Sequence, residues 1–412
     1  MSNNPPTERS IQGKGVVPGS GITGEKAGTG GDGKSDSYAA GGPLAALFEP
    51  YNVKSLHLRN RFAMAPMTRE MSPTGVPTPE NAEHYRLRAE GGVGLLITEG
   101  AYIAGTASGH RVSVPHLTPR SADGWREVVQ DVHAAGSAII PQLWHVGALR
   151  GTTSPLNPGV APQSPSGIDL DGKPLGQPMT TGEIDAVISS FAEAAALAQQ
   201  IGFDGVELHG AHGYLLDEFL WERTNKRSGA YGQRTRMPVE VVRAVRSAVG
   251  DDFAIVFRFS QWKANRYQER IATTPRELEN VLTPLVDAGV DVFHPSTRRH
   301  WLPEFPNDDP TLSLAAWTKR LTDKAVITVG SVGVHTEFRG AGATAEKIPV
   351  VIPESPEERL SYLANQFAAG EFDIVALGRA LIADPMWVSK VRTGQFDSVT
   401  PFDKNHHALS GA

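Results

Sequence analysis

From residue 44 onward the chain alternates between two hydrophobic patterns. Short apolar runs bounded by Gly, Pro or polar residues read as buried strands: RFAMAP at 61–66, GLLITEG at 94–100, SAIIPQLWH at 137–145, FDGVELHG at 203–210, FAIVFRFS at 253–260, VDVFHPS at 290–296, AVITVGSV at 325–332 and DIVALGR at 373–379. Between them lie stretches with apolar residues three and four apart, among them 80–92, 121–136, 183–204 and 238–250, and several end in Gly as helices do. In the third, Ile184, Val187, Ile188, Phe191, Ala195 and Ala198 make one stripe, which is expected to pack on a sheet. Strict alternation of strand and helix implies a parallel sheet covered by helices. Eight repeats fit a closed (β/α)8 TIM barrel, and an open doubly wound sheet is the alternative.

In a barrel the chemistry sits where strands end at their C-terminal side. Those exits carry Thr68, Gly100, Gln142 with Trp144, the group His209, His212 and Tyr214, then Arg258, Gly330 with Ser331, and Gly378 with Arg379. Two imidazoles three residues apart can converge on one carbonyl or anionic oxygen, and a phenol two residues on can supply a proton. The competing view of these three makes one His a helix cap and packs the other rings. Gly at the last two exits lets backbone N–H groups approach a phosphate, with Arg379 adding charge, although a turn with a surface charge would read the same. Arg258 on an apolar strand needs an anionic or accepting partner, either a ligand edge shared with Gln142 or a barrel carboxylate such as Glu99 or Glu207.

Composition narrows the chemistry. The 412 residues contain 40% hydrophobic side chains and no Cys, which excludes disulfides, thiolate metal sites and thiol nucleophiles; no metal site is expected. A formal net charge of -6, without a basic block, argues against nucleic acid. No apolar run approaches a membrane span, and MSNNPPTERS lacks a secretory core, so no membrane partner and a cytoplasmic location are expected. Residues 1–43, rich in Gly, Ser, Pro and Lys, read as a disordered leader, with a barrel over 44–395 and a tail over 396–412. The run at 28–35 has P-loop spacing but neither the strand before nor the helix after that a phosphate loop needs.

RFAMAPMTR, GLLITEGAYI, PQLWHVG, HGAHGYLLDEFL, ITVGSV and DIVALGRALIADP, in that order from about Leu44 to Val391, resemble the signatures of the old yellow enzyme family of FMN-dependent ene-reductases. The resemblance implies FMN at the top of the barrel: Pro66 and Thr68 beside the flavin, Gly100, Gln142 and Arg258 at its pyrimidine edge, and Gly330, Ser331, Gly378 and Arg379 around its phosphate. His209 and His212 would hold a substrate oxygen, Tyr214 would be the acid, and Trp144 and Tyr102 would line the substrate pocket. The implied reaction is NAD(P)H-driven, ping-pong reduction of the activated C=C bond of a small α,β-unsaturated carbonyl or nitro compound. A flavin-dependent dehydrogenase or isomerase on the same barrel, or a barrel that only binds, are the alternatives. Two stretches depart from the pattern. The loop around Tyr231 is shorter than usual, and Arg298, Arg299 and Trp301 after the sixth strand read either as an overhang that selects an acidic substrate or the 2′-phosphate of NADPH, or as a solvated basic turn.

Overall fold

The computed structural model describes residues 44–264, 266–334 and 356–403; the expected leader with its 28–35 loop, and residues 404–412 of the expected tail, lie outside them. A hairpin of β1 (Tyr51–Val53) and β2 (Leu56–Leu58) precedes the barrel strands β3 (Phe62–Met64), β4 (Leu95–Tyr102), β5 (Ala138–Trp144), β6 (Gly205–His212), β7 (Ala254–Lys263), β8 (Val292–Pro295), β9 (Ala325–Val329) and β10 (Ile374–Leu377). These eight close in sequence order, β10 pairing with β3, every neighbour parallel. Closure settles the fold as a TIM barrel against the open sheet. The helices are α1 (Pro79–Glu90), α2 (Ala122–Ala134), α3 (Thr181–Ile201), α4 (Leu215–Leu220), α5 (Arg236–Val249), α6 (Pro275–Ala288), α7 (Leu314–Thr322), α8 (Pro356–Ala368), α9 (Arg379–Ala383) and α10 (Trp387–Arg392). Among the described residues, none is long and apolar enough to cross a membrane.

Helix α3 shows why the local sequence suffices for such elements. Thr180 and Glu183 form a reciprocal capping box, Glu183 N–H donating to Thr180 Oγ1 and Thr180 N–H to the Glu183 carboxylate at 2.7 Å. Gly202, at φ 108°, takes the left-handed conformation that ends the helix. Ile184, Val187, Phe191, Ala195 and Ala198 of the expected stripe are buried, and Ile188 packs at its edge.

The inside of the barrel is graded along its axis. At the N-terminal end Leu95, Ile97, Ala138, Ile140, Val256, Val292, Ile327 and Ile374 form an apolar cluster, which Leu56 and Leu58 of the hairpin close from below. This hairpin lies before the first of the eight expected runs, and its strands are three residues each. At the other end the inward positions turn polar, with Gln142, Glu207, Arg258 and His294 all buried. Three strands also run further toward that end than expected: β4 to Tyr102, β6 to His212 and β7 to Lys263. Register shifts between Ile97 and Gly100 and between Gly210 and His212 let pairing resume there.

Candidate active site

The polar floor of the site is one connected set. Glu207 accepts from Gln142 Nε2 at 2.7 Å and pairs with His294 Nδ1 at 2.6 Å, and Arg258 Nη1 lies 4.0 Å from its carboxylate. Burial opposes charge on Glu207, but His294, Arg258 and Gln142 outweigh it and hold its pKa below the ordinary carboxylate value. Burial lowers His294, so a neutral imidazole donating from Nδ1 to the Glu207 carboxylate describes the pair. The barrel carboxylate weighed as a partner for Arg258 is thus present in Glu207, but at the limit of an ion pair. Glu99 serves elsewhere, accepting from the backbone N–H groups of Arg69 and Glu70 just after Thr68, with burial pushing it up to about 7.

The three rings of the β6 exit come together. His209 and Tyr214 lie with centroids 4.7 Å apart, His209 and His212 5.1 Å, and Trp144 stands 4.9 Å from Tyr214. Because β6 continues to His212, both histidines belong to the strand rather than to the loop beyond it. The turn to Tyr214 is made by two successive positive φ values, 64° at His212 and 81° at Gly213, the latter where a Cβ would meet Leu170 Cδ1 at 2.7 Å. Gly213 N–H then donates to Asp217 at 2.7 Å, whose other oxygen accepts from the fully buried Lys263 at 2.8 Å.

Hydrogen bonds assign the protons. His209 Nδ1 accepts a long bond from Ala211 N–H at 3.4 Å, leaving the donor on Nε2. Ser296 Oγ accepts from Arg258 Nη2 at 3.2 Å and contacts His212 Nε2 at 2.8 Å, so its O–H is available to that nitrogen. Burial, then the Arg258 guanidinium, pushes both imidazoles well below their ordinary pKa, and burial raises Tyr214 to about 12. At neutral pH the site therefore presents two neutral imidazoles and a protonated phenol.

Beside the rings opens a cleft of about 290 Å³ lined by Pro66, His212, Arg258, Gly330, Ser331, Gly378 and Arg379 of the expected set. Gly330, at φ 140°, has room for no side chain: a Cβ would stand 2.6 Å from Thr297 Oγ1 and 2.9 Å from Arg299 N. Ser331 Oγ donates to Arg298 O at 2.8 Å, and Arg379 Nη2 reaches Ser331 Oγ at 3.5 Å. Thr68, Gly100, Gln142, His209, Tyr214, Trp144 and Tyr102 are outside this lining. Gln142 joins it through Glu207, Tyr102 backs Trp144 at 5.0 Å, and Gly100 leaves space for Trp144, whose Cε3 a Cβ would meet at 2.5 Å.

Three neighbours escaped the sequence reading. Ser296 and His294 end an unremarkable apolar strand, and Trp262, stacked on His212 at 4.4 Å, lies beyond where β7 was expected to stop. The alternation of inward residues past Arg258 was the available signal. Arg298 and Arg299 line the cleft half-buried, against the solvated-turn reading. The loop at Tyr231 is anchored by Tyr231 Oη donating to Glu240 at 2.8 Å.

Comparison with known proteins gives this geometry a family. The model of the NADH:flavin oxidoreductase / NADH oxidase family matches residues 46–341. The chain belongs to that family. It is 31% identical over 382 residues to flavin oxidoreductase hxnT of Emericella nidulans, covering 88% of this chain and 94% of that protein. It is 33% identical over 374 residues to an NADH oxidase of Thermoanaerobacter brockii, covering 86% of this chain but 52% of that protein, so the chain spans about half of its length. Morphinone reductase, solved as a mutant in complex with tetrahydroNAD, aligns with a TM-score of 0.69 at 26% identity over 87% of this chain and 93% of that one. The old yellow enzyme resemblance is borne out, and the family makes the chain an FMN-dependent oxidoreductase. The residues present fit that cofactor. Gly330 keeps a backbone cradle open beside Arg379, and Arg258 Nε and His294 Nε2 are buried polar atoms with no partner among the described residues.

Proposed function

We propose that this protein reduces the activated C=C bond of α,β-unsaturated carbonyl or nitro compounds at the expense of NAD(P)H. The observation that carries the reading is the convergence of His209, His212 and Tyr214, with both imidazoles neutral and the phenol protonated. In this reading Pro66 and Thr68 flank the flavin ring, Gly100, Gln142 and Arg258 meet its pyrimidine edge, and Gly330, Ser331, Gly378 and Arg379 hold the phosphate. FMN, when bound, accepts hydride from the nicotinamide and delivers it to the alkene.

His209 and His212 donate hydrogen bonds to the substrate oxygen, drawing electron density toward it and making the β-carbon electrophilic. A neutral imidazole suits this, because it polarises the oxygen without giving up its proton. Tyr214, standing against both rings, transfers its phenolic proton to the α-carbon. Ser296 and Trp262 hold His212 in place, while Trp144, backed by Tyr102, packs edge-on against Tyr214 at 4.9 Å. A dehydrogenase or isomerase would need a base at the position of Tyr214, and burial drives that phenol away from the anion.

The test is an absorbance spectrum of the purified protein followed by anaerobic titration with a small phenol. A flavin spectrum that gains a long-wavelength charge-transfer band supports an oxygen-binding histidine pair facing the flavin. A protein that stays colourless after reconstitution with FMN, or whose flavin bands ignore phenols, overturns the reading.

A further inference from the structure

Ser296 joins the cation of the polar floor to one of the two imidazoles. The residue is buried, and its Oγ has two partners among the described residues, Arg258 Nη2 at 3.2 Å and His212 Nε2 at 2.8 Å. A guanidinium only donates, so the Arg258 contact makes Ser296 Oγ an acceptor on that side and leaves its O–H for His212. If His212 carried its proton on Nε2, that nitrogen would donate as well, and the Ser296 hydrogen would stay buried without an acceptor, at the cost of its desolvation. The arrangement that satisfies all three groups has Nε2 accepting and the ring proton on Nδ1, the nitrogen that the described residues leave without a bond in a side chain lining the cleft.

The fold keeps both ends of that bond from moving. Ser296 N–H donates to Phe259 O at 2.7 Å, and its carbonyl accepts from Trp262 Nε1 at 3.0 Å, so β7 ties the residue on both sides of its side chain. His212 N–H donates to Ser260 Oγ at 2.9 Å, and His212 O accepts from Ala264 N–H at 3.0 Å. These bonds hold its backbone at a φ of 64°, which a residue with a side chain seldom takes. Trp262 stacks on one face of the imidazole at 4.4 Å and 27°, and His209 stands edge-on at 5.1 Å. A ring flip that moved either nitrogen would have to open that stack and break the Ser296 bond.

We propose that Ser296 is a positioning residue for the reaction: its hydroxyl, oriented by Arg258, selects the Nδ1–H tautomer of His212 and so makes that ring a donor to the substrate oxygen. The proposal deepens the ene-reductase reading above and rests on it. In the other tautomer His212 would turn a lone pair toward the oxygen and repel the charge that gathers there as hydride reaches the β-carbon. A neutral ring suffices for this role, in keeping with the burial that holds both imidazoles uncharged. His209 is set by a different device, its Nδ1 accepting from Ala211 N–H at 3.4 Å, so the two donors come from unlike nitrogens, each chosen by its own partner. Through one hydroxyl, Arg258 thereby acts on the substrate oxygen as well as on the ring edge of the proposed cofactor.

The test reads the tautomer directly, by nitrogen NMR of FMN-loaded protein made with isotope-labelled histidine. The His212 ring, identified by the signals lost in His212→Gln, is expected to show a protonated Nδ1 and a bare Nε2. A protonated Nε2 in the wild type overturns the proposal whatever the variants do. Ser296→Ala is expected to lose that pattern and to bind a small phenol about tenfold or more weakly, read by the charge-transfer band, as the loss of one hydrogen bond serving a charged oxygen gives. Ser296→Thr, which keeps the hydroxyl, should restore both. A Ser296→Ala protein that retains the Nδ1–H pattern and the phenol affinity overturns the proposal. So does one that shifts the flavin midpoint potential while its phenol affinity stays intact, which would assign Ser296 to Arg258 and the cofactor edge alone. A wild type whose flavin bands ignore phenols contradicts the ene-reductase reading itself; the ring spectrum still reports the tautomer in that case, so the two failures are told apart.

Discussion

A phenol makes an acid at neutral pH only if it keeps its proton until the carbon next to it needs one. Burial raises Tyr214 to about 12, so it enters the reaction fully protonated, and its ring is held by His209 and Trp144 at 4.7 and 4.9 Å. Tyr214→Phe is expected to slow alkene reduction by about 10²-fold, the lower range for a positioned general acid, while flavin reduction by NAD(P)H stays near the wild-type rate. Stopped-flow traces of the two half-reactions separate these outcomes, and an equal fall in both would remove Tyr214 from the role of acid. The three rings were legible in the sequence because they lie within six residues of one strand end. Their partners were not: Ser296 directly follows β8 and Trp262 belongs to β7, and only closure of the barrel sets them against His212.

At the scale of elements, the turn from β6 to α4 is held from β7. Lys263 and Asp217 are both fully buried, and Asp217 also receives Gly213 N–H, so one carboxylate fixes the strand end and the turn before Tyr214. Removing one member strands a charge without solvent. Asp217→Leu is therefore expected to cost about 3–5 kcal/mol in urea denaturation, and the double variant Asp217→Leu with Lys263→Met much less, since an apolar pair replaces the buried ions. A single variant within about 1 kcal/mol of the wild type, on the scale of a surface substitution, would show that the pair is not holding the turn. Pairing of His212 with Lys263 across β6 and β7 makes this arrangement possible. It was not legible in the sequence, because a lysine past the expected end of a strand looks like a solvated loop residue.

Across the whole molecule, buried histidines set the response to acid. Burial lowers His110, His145 and His300 to about 4, and His84, His209 and His212 well below their ordinary value. Below about pH 6.5 the unfolded chain takes up protons that these folded imidazoles refuse, so their contribution is complete above that pH and is lost as pH falls toward 4. For His145 and His300, each lowered from 6.5 to about 4, it is on the order of 3 kcal/mol. Glu99 and Glu304, raised to about 7, act in the opposite sense, as do Glu218, Asp217 and Glu371, which burial also raises: the folded state keeps their protons above the ordinary carboxylate value, and for Glu99 and Glu304 that stability is lost as pH rises through 7. The histidines outnumber them, so the urea midpoint at fixed flavin content is expected to fall between pH 6.5 and 4. A midpoint that is flat or rises over that window would show that these imidazoles protonate within the fold.

The sequence by itself determined a parallel sheet of eight strands covered by helices, since eight apolar runs separated by capped helices leave few ways to bury the strands, and it located the strand exits where Tyr214, Arg258 and Arg379 stand; closure of that sheet into a barrel it left to the structure to decide. It also determined chemistry by omission, because without Cys the site has only acids, bases and a bound cofactor to work with. Tertiary structure alone decided which inward residues meet. Glu207 and His294, 87 positions apart, bond at 2.6 Å, and Arg298 lies over the Tyr267 ring, itself 5.6 Å from Trp262. Hydrophobic periodicity is a local property and survives in one dimension. Contact between neighbouring strand ends depends on register, on bulges such as that between Gly210 and His212, and on closure, and these are fixed only when the whole sheet packs.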